Sequence, residues 1–381
     1  MIHFNSKLPH AVTTIFTVMS KLAHDAGAIN LSQGYPDYDC SPELVKLVND
    51  YMRRGNNQYA PMAGLPVLRE RIAAKVNELH GADYHPDTDV TVTAGGTQGL
   101  FTALAAVIRP NDEVIIFEPA YDSYAPTVKL LGGLVKAYEM SPPIYKIDWS
   151  IVKRMISSNT KMIILNSPNN PSGAVLDRED INELIAITKN TDILILSDEV
   201  YEHLVYDGRE HLSMARFPEL RERSFINASF GKLYHVTGWK IGYCIAPSWM
   251  MSEFRKVHQY VVFSTNTAIQ YALADFMADK DQYLGLNAYF QQKRDFFSQL
   301  MRGTRFDLLP CHGSYFQCAT YKKITDEKDT DFAKRLTIDF GVAAIPVSAF
   351  YTKGTDNGVV RFCFAKKEET LEKAVENLVK V

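Results

Sequence analysis

At 381 residues, with 46% hydrophobic and 22% charged side chains, the chain has the makeup of a soluble globular enzyme and the length for a large domain plus a smaller one. Its 41 basic and 44 acidic residues give a net charge of −3, which carries no nucleic-acid or polyanion footprint. No apolar run approaches the roughly 18 residues of a membrane helix, and the stretch from Met1 to Lys7 lacks the apolar core of a signal peptide. Residues 1 to about 42 read as an arm and loop with a turn at Gly34-Tyr35-Pro36-Asp37. Helices are expected at Glu43–Arg54 and from Leu65 to about His80. The chain then alternates: a strand at Asp89–Thr93, a helix at Gln98–Ile108, and strands at Glu113–Phe117, Met162–Leu165, Ile193–Leu196 and Phe225–Asn227. Apolar runs separated by helical stretches predict a mostly parallel sheet covered by helices on both faces. A long helix from Asn287 into Met301 leads to strands at Ser314–Cys318, Val342–Pro346 and Val359–Phe364, an α+β pattern. The expected division is an N-terminal arm and part of the small domain over 1–42, a large domain over 43–289 and a small C-terminal α+β domain over 290–381.

Several residues stand where ligands bind in such sheets, just past the carboxyl ends of strands. Asn170, Asp198 and Ser229 all follow strand-like runs. Thr93-Ala94-Gly95-Gly96-Thr97-Gln98-Gly99 lies between a strand and a helix, where backbone N–H groups and the helix dipole favour an anion. It is neither a Walker loop nor a G-x-G-x-x-G fingerprint, and a plain tight turn would read the same way. Asp198 could be a helix N-cap or a buried carboxylate facing a cation. Tyr121, in Glu118-Pro119-Ala120-Tyr121, could be core packing or an aromatic contact to a ligand. Arg361 sits mid-strand in Val359-Val360-Arg361-Phe362-Cys363-Phe364; there a cation needs a partner, either a structural salt bridge or a ligand carboxylate. Lys232, in Ser229-Phe230-Gly231-Lys232-Leu233-Tyr234-His235-Val236-Thr237-Gly238-Trp239-Lys240, occupies a small-residue turn with a second lysine eight positions on. The five cysteines (Cys40, Cys244, Cys311, Cys318, Cys363) are scattered and without Cys-x-x-Cys, which predicts reduced thiols and no metal site. His203 and His235 are expected to be hydrogen-bonded structural groups rather than catalysts.

Three motifs in order carry a family resemblance: Asn166-Ser167-Pro168-Asn169-Asn170-Pro171-Ser172-Gly173, Ile193–Tyr201 ending in Ser197-Asp198-Glu199-Val200-Tyr201, and Ser229–Lys240. Together they resemble the class I/II aminotransferases of pyridoxal phosphate fold type I, over nearly the whole chain from Leu31 through Arg361. The resemblance implies that Lys232 forms an imine with pyridoxal 5'-phosphate and then moves the substrate Cα proton. It implies that Asp198 keeps the cofactor's pyridine nitrogen protonated, that Tyr201 and Asn170 hydrogen-bond its phenolic oxygen, and that Tyr121 stacks on the ring. Gly96, Thr97, Ser229 and Lys240 are then the phosphate ligands. Arg361 and the backbone of Gly34 bind the substrate carboxylate.

Within the family the resemblance is to the branch of methionine, glutamine and kynurenine aminotransferases, and above all to bacterial methionine aminotransferases. It rests on Asn57-Gln58-Tyr59-Ala60-Pro61, Thr13-Thr14-Ile15-Phe16-Thr17 and Ile345–Tyr351. It implies a homodimer in which Tyr59 reaches the phosphate of the neighbouring subunit, and a substrate pocket of Phe16, Tyr35, Tyr121 and Phe350. Such a pocket suits methionine and aromatic amino acids, with transfer to a 2-oxo acid. Phe16, Thr97 and Ser264 stand where kynurenine-handling relatives tend to carry tryptophan, tyrosine and histidine, which speaks against kynurenine. A β-elimination C–S lyase on the same fold, or a kynurenine- or aspartate-preferring aminotransferase, are the alternatives. The expected setting is cytoplasmic, with no membrane or nucleic-acid partner.

Overall fold

The computed structural model describes residues 5–9 and 11–381; Met1–Phe4 and His10 of the expected arm lie outside the described residues. Strands are numbered along the chain: β1 Ile29–Asn30, β2 Val90–Thr93, β3 Glu113–Glu118, β4 Leu134–Glu139, β5 Thr160–Asn166, β6 Leu194–Asp198, β7 Ser224–Ser229, β8 Gly242–Ile245, β9 Asp307–Leu308, β10 Phe316–Thr320, β11 Val342–Ala343, β12 Ile345–Pro346 and β13 Val359–Cys363. The larger sheet has seven strands in the order β2-β8-β7-β6-β5-β3-β4. Within it β8 alone runs against the rest, pairing antiparallel with both β2 and β7.

The central strands are apolar without alternation because both faces are covered. Period two then divides one run between two cores. Ile163, Leu165 and Ile195 join the core beneath helices Pro66–His80 and Arg178–Thr188. Met162, Ile164, Leu194 and Leu196 face helices Gly96–Val107 and Ser248–Val261. Each such side chain contributes on the order of 2 kcal/mol by burial. β4 and β8 were not expected from sequence. β4 is an edge strand of half-exposed residues, Leu134–Glu139, and its mixed polarity hides it. β8 is short and follows closely on the Lys232–Lys240 segment.

The smaller sheet is antiparallel, in the order β12-β13-β10-β9. Helices Leu286–Met301, Asp329–Phe340 and Glu368–Leu378 bury Phe290, Phe297, Phe332, Leu336, Leu371 and Leu378 against it. The expected single strand Val342–Pro346 is in fact two: β11 pairs parallel with β1, while β12 pairs with β13. Pro346 offers no N–H, which confines β12 to the sheet edge it occupies. β1 and β11 form a separate two-stranded sheet, which ties the N-terminal segment to the chain just before β12. Helix Ile15–Asp25, started by Thr14 accepting from the Thr17 N–H, buries Met19 in the smaller sheet's core.

Candidate active site

Register in the larger sheet sets the floor of the site. Asn166 pairs with Asp198, and Asp198 with Asn227, so three polar side chains end adjacent strands side by side. Asp198 is buried; its Oδ2 accepts from the Tyr124 hydroxyl at 2.6 Å and its Oδ1 from the Asn227 amide at 3.3 Å. Burial lifts its carboxyl to about 6, against the lowering effect of those two donors. A buried carboxylate in this state is poised to pair with a cation. Tyr124 and Asn227 were not singled out from sequence. Tyr121, expected to stack on the cofactor ring, lines the cavity, with its hydroxyl 3.2 Å from Thr97 Oγ1.

At the carboxyl end of β2 the chain turns into helix Gly96–Val107 through Gly95, whose φ of 84° suits glycine. A Cβ on Gly95 would lie 3.4 Å from the Lys240 ammonium, and one on Gly96 would lie 3.8 Å from Ser229 Cβ. Two glycines, a helix N-terminus, a hydroxyl and an ammonium therefore converge on a space that side chains would fill. This donor set fits a phosphate dianion. Lys240 itself holds a left-handed backbone, φ 52°, between the turn Thr237–Trp239 and β8.

Lys232, on the short helix Phe230–Leu233 just after β7, reaches across the cavity. Its Nζ donates to the Gly34 carbonyl at 3.0 Å and to the Tyr315 hydroxyl at 2.9 Å. Burial, helped by the Arg361 and Lys240 charges, pulls this amine down to about 8 against the raising effects of Cys363 and Asp198, so a sizeable neutral fraction exists near physiological pH. Tyr201 is buried, its hydroxyl pushed well above the usual range by desolvation, and its ring packs edge-on against Tyr315 at 5.2 Å.

Arg361 lies on β13 between Cys318 of β10 and Ile345 of β12 and has no exposed surface. Its guanidinium donates to Asn170 Oδ1 at 2.7 Å and to the Ser32 carbonyl at 2.6 Å, while Nε has no partner. The Phe316 ring lies 3.9 Å beneath it, and Phe16 and Phe350 flank it at 5.4 and 5.3 Å. Among the described residues no carboxylate comes within 4.0 Å of it. The structural salt bridge is thereby set aside: this is a buried cation with polar but uncharged partners and one unused donor, fitted to an incoming carboxylate. Gly34 is a glycine because a Cβ there would meet Phe316 Cζ at 2.7 Å. Its carbonyl is engaged by Lys232 and Tyr315, which leaves the N–H as the backbone group with the polarity to meet an anion.

These residues enclose one cavity of about 250 Å³, lined by Phe16, Gly34, Tyr35, Gly96, Thr97, Tyr121, Asn170, Asp198, Tyr201, Ser229, Lys232, Lys240 and Arg361. Gln33, Asn166 and Phe316 also line it and were missed from sequence. Two expected residues lie elsewhere. Phe350 does not line the cavity but packs edge-on behind Phe16, ring centroids 5.8 Å apart. Tyr59 is 82% exposed on the outer surface, against Phe263, and no part of its own chain's cavity. His203 and His235 correct a further expectation: both are desolvated, held at about 3 and about 4, yet His203 Nε2 and His235 Nδ1 have no hydrogen-bond partner. All five cysteines are free.

The sequence profile described as aminotransferase class I and II matches residues 26–378. The chain belongs to this family. It is a pyridoxal phosphate-dependent aminotransferase of fold type I, and the donor set described above fits that cofactor. Its sequence is 46% identical to the methionine aminotransferase of Escherichia coli, over 98% of this chain and 97% of that protein. Human kynurenine–oxoglutarate transaminase 1 is 33% identical, over 94% of each chain. Among solved structures, Escherichia coli YbdL, described as having a methionine aminotransferase function, superposes with a TM-score of 0.98 at 44% identity, covering 100% of both chains. Among the described residues no helix is long and apolar enough to cross a membrane.

Proposed function

We propose that this aminotransferase takes the amino group from methionine, and from other amino acids with apolar or aromatic side chains, and passes it to a 2-oxo acid. The observation that carries the reading is Arg361: a fully buried guanidinium with an unused donor and no carboxylate partner, at the end of a cavity walled by Phe16, Tyr35 and Tyr121. Arg361 is the single arginine lining that cavity among the described residues, so one carboxylate is held there and the rest of the substrate meets rings. Similarity to the Escherichia coli methionine aminotransferase supports the same choice.

In this reading Gly96, Thr97, Ser229 and Lys240 would hold the phosphate of pyridoxal 5'-phosphate, Asp198 would pair with its ring nitrogen, and Tyr121, Asn170 and Tyr201 would contact the ring. Bound there, the cofactor supplies an electron sink for the pair left on the substrate carbon when its proton departs. Asp198 keeps its charge once a cation is beside it, since an opposite charge counters the desolvation that lifts it to about 6. Tyr124 and Asn227 fix its two oxygens. Arg361 and the Gly34 N–H orient the substrate carboxylate, and Lys232 Nζ takes up the Cα proton and would deliver it to the cofactor's aldehyde carbon rather than back to Cα.

The chain is read as an N-terminal arm and part of the small domain over 1–42, a large domain over 43–289 and the rest of the small domain over 290–381, acting as a cytoplasmic homodimer. Tyr59, exposed and outside its own cavity, supports a role at the phosphate of the neighbouring subunit. Borohydride reduction of the yellow holoenzyme, followed by peptide mass spectrometry, places the cofactor on Lys232; a label on any other residue overturns the assignment. Tyr59→Phe lowers cofactor affinity, and the active species sediments as a dimer; unchanged affinity or an active monomer refutes the shared site.

A further inference from the structure

Tyr315 is buried, and its setting fixes its hydroxyl. The preceding Ser314 takes a left-handed backbone, φ 62°, with its N–H on the Leu204 carbonyl at 3.0 Å and its own carbonyl accepting from the Tyr206 hydroxyl. Around the Tyr315 ring, Tyr201, Phe290 and Phe316 pack at 5.2, 5.8 and 4.9 Å. A phenol has one proton to give. Tyr315 gives it to the Gly34 carbonyl at 2.6 Å, so only its lone pairs face Lys232, which donates to it at 2.9 Å and to the same Gly34 carbonyl at 3.0 Å. The three atoms form a closed triangle built from segments 83, 198 and 281 residues apart.

We propose that Tyr315 is a positioning residue for the reaction: with the Gly34 carbonyl it forms a cradle that holds the free amine of Lys232 in one place and one orientation whenever that amine carries a proton. An sp³ nitrogen has four positions. Cε takes one and the two oxygens take two, so a single position is left, occupied by the lone pair of the neutral amine or the third proton of the ammonium. Without the cradle the four-carbon stem of lysine leaves that position free to wander. Proton transfer between fixed partners depends steeply on such placement. The inference rests on the assignment of Lys232 made above.

The test is Tyr315→Phe, which keeps the ring and removes one acceptor. The titratable groups around the amine are Arg361, Lys240, Cys363 and Asp198, together with the Tyr201 phenol. None of them is altered. Losing an acceptor disfavours the ammonium, so in the apo-protein Lys232 is acetylated faster by trace acetic anhydride, about threefold or more at pH 7, and its labelling midpoint moves to lower pH. In the holoenzyme kcat falls at least about tenfold with KM for methionine little changed, and the isotope effect from Cα-deuterated substrate grows. A more reactive amine in a slower enzyme is the signature that mere loss of packing does not give. Labelling of buried Lys75 in the same digest reports unfolding. Should Tyr315→Phe unfold, 3-fluorotyrosine at position 315, a poorer acceptor of the same shape, shifts both readouts in the same directions by less. Unchanged Lys232 labelling, or an unchanged isotope effect and kcat, overturns the cradle. Borohydride trapping on a residue other than Lys232 would instead overturn the assignment beneath it.

Discussion

On the larger sheet's side of the cavity, Asn166, Asp198, Asn227 and Ser229 stand on neighbouring parallel strands whose ladder hydrogen bonds fix their spacing. On the smaller sheet's side, Phe16, Gly34, Tyr315 and Arg361 come from the arm helix, a loop, a strand entrance and β13. They meet through contacts such as Arg361 to Ser32, 329 residues apart. Backbone pairing gives one half its precision, and side-chain packing assembles the other. Changes on the sheet side should therefore act through chemistry at fixed positions. Changes at Phe16, Gly34 and Arg361 should act through how the substrate is gripped, whereas a change at Tyr315 should act through the Lys232 amine it holds.

Experiments can break or sharpen that contrast. Lys232→Ala should cost the most: turnover drops by at least about 10⁴-fold while part of the cofactor affinity survives, measured by single-turnover kinetics and fluorescence titration. Appreciable residual transamination would sink the role. Arg361→Lys, on the gripping side, keeps charge but loses the planar fork, and should lower kcat/KM for methionine by about 100- to 1,000-fold with cofactor absorbance unchanged. The apo-protein should recover pyridoxal phosphate faster as pH rises, roughly tenfold per unit below about 8 and level above it, because only the neutral Lys232 amine attacks. A flat profile from pH 6 to 9 would contradict the lowered amine. Phe16→Ala should raise KM for methionine about fivefold, roughly 1 kcal/mol of apolar burial, and leave alanine nearly unaffected. Equal losses for both amino acids would remove Phe16 from the side-chain pocket.

The same contrast explains what could be read from sequence. Asp198 and Ser229 end apolar strands, and Asn170 follows a third, so period and position announced them before any family likeness was invoked. The strands around Ile163 and Ile195 were likewise legible, because burial on two faces leaves unbroken apolar runs, while helix Leu286–Met301 shows a one-sided apolar stripe that buries Phe290, Phe297 and Met301. Tyr124 was not singled out because its contact with Asp198 depends on the first turn of helix Tyr124–Leu130 aiming it there, a direction that residue type does not encode. Tyr315 carried no local signal beyond the Gly313-Ser314 turn before it; its function depends on Gly34 and Lys232 arriving from elsewhere. The break between β11 and β12 follows from partner strands 29–30 and 359–363, which no local window contains.

Mixing the holoenzyme with L-methionine in the absence of any acceptor tests the central claim most directly, with the visible spectrum and the products followed together. The account predicts loss of the cofactor's initial absorption band and about one equivalent of the methionine 2-oxo acid per Lys232 site, with no ammonia. Release of ammonia and a thiol would contradict it by making the protein a lyase, and an unchanged spectrum would contradict methionine as its substrate.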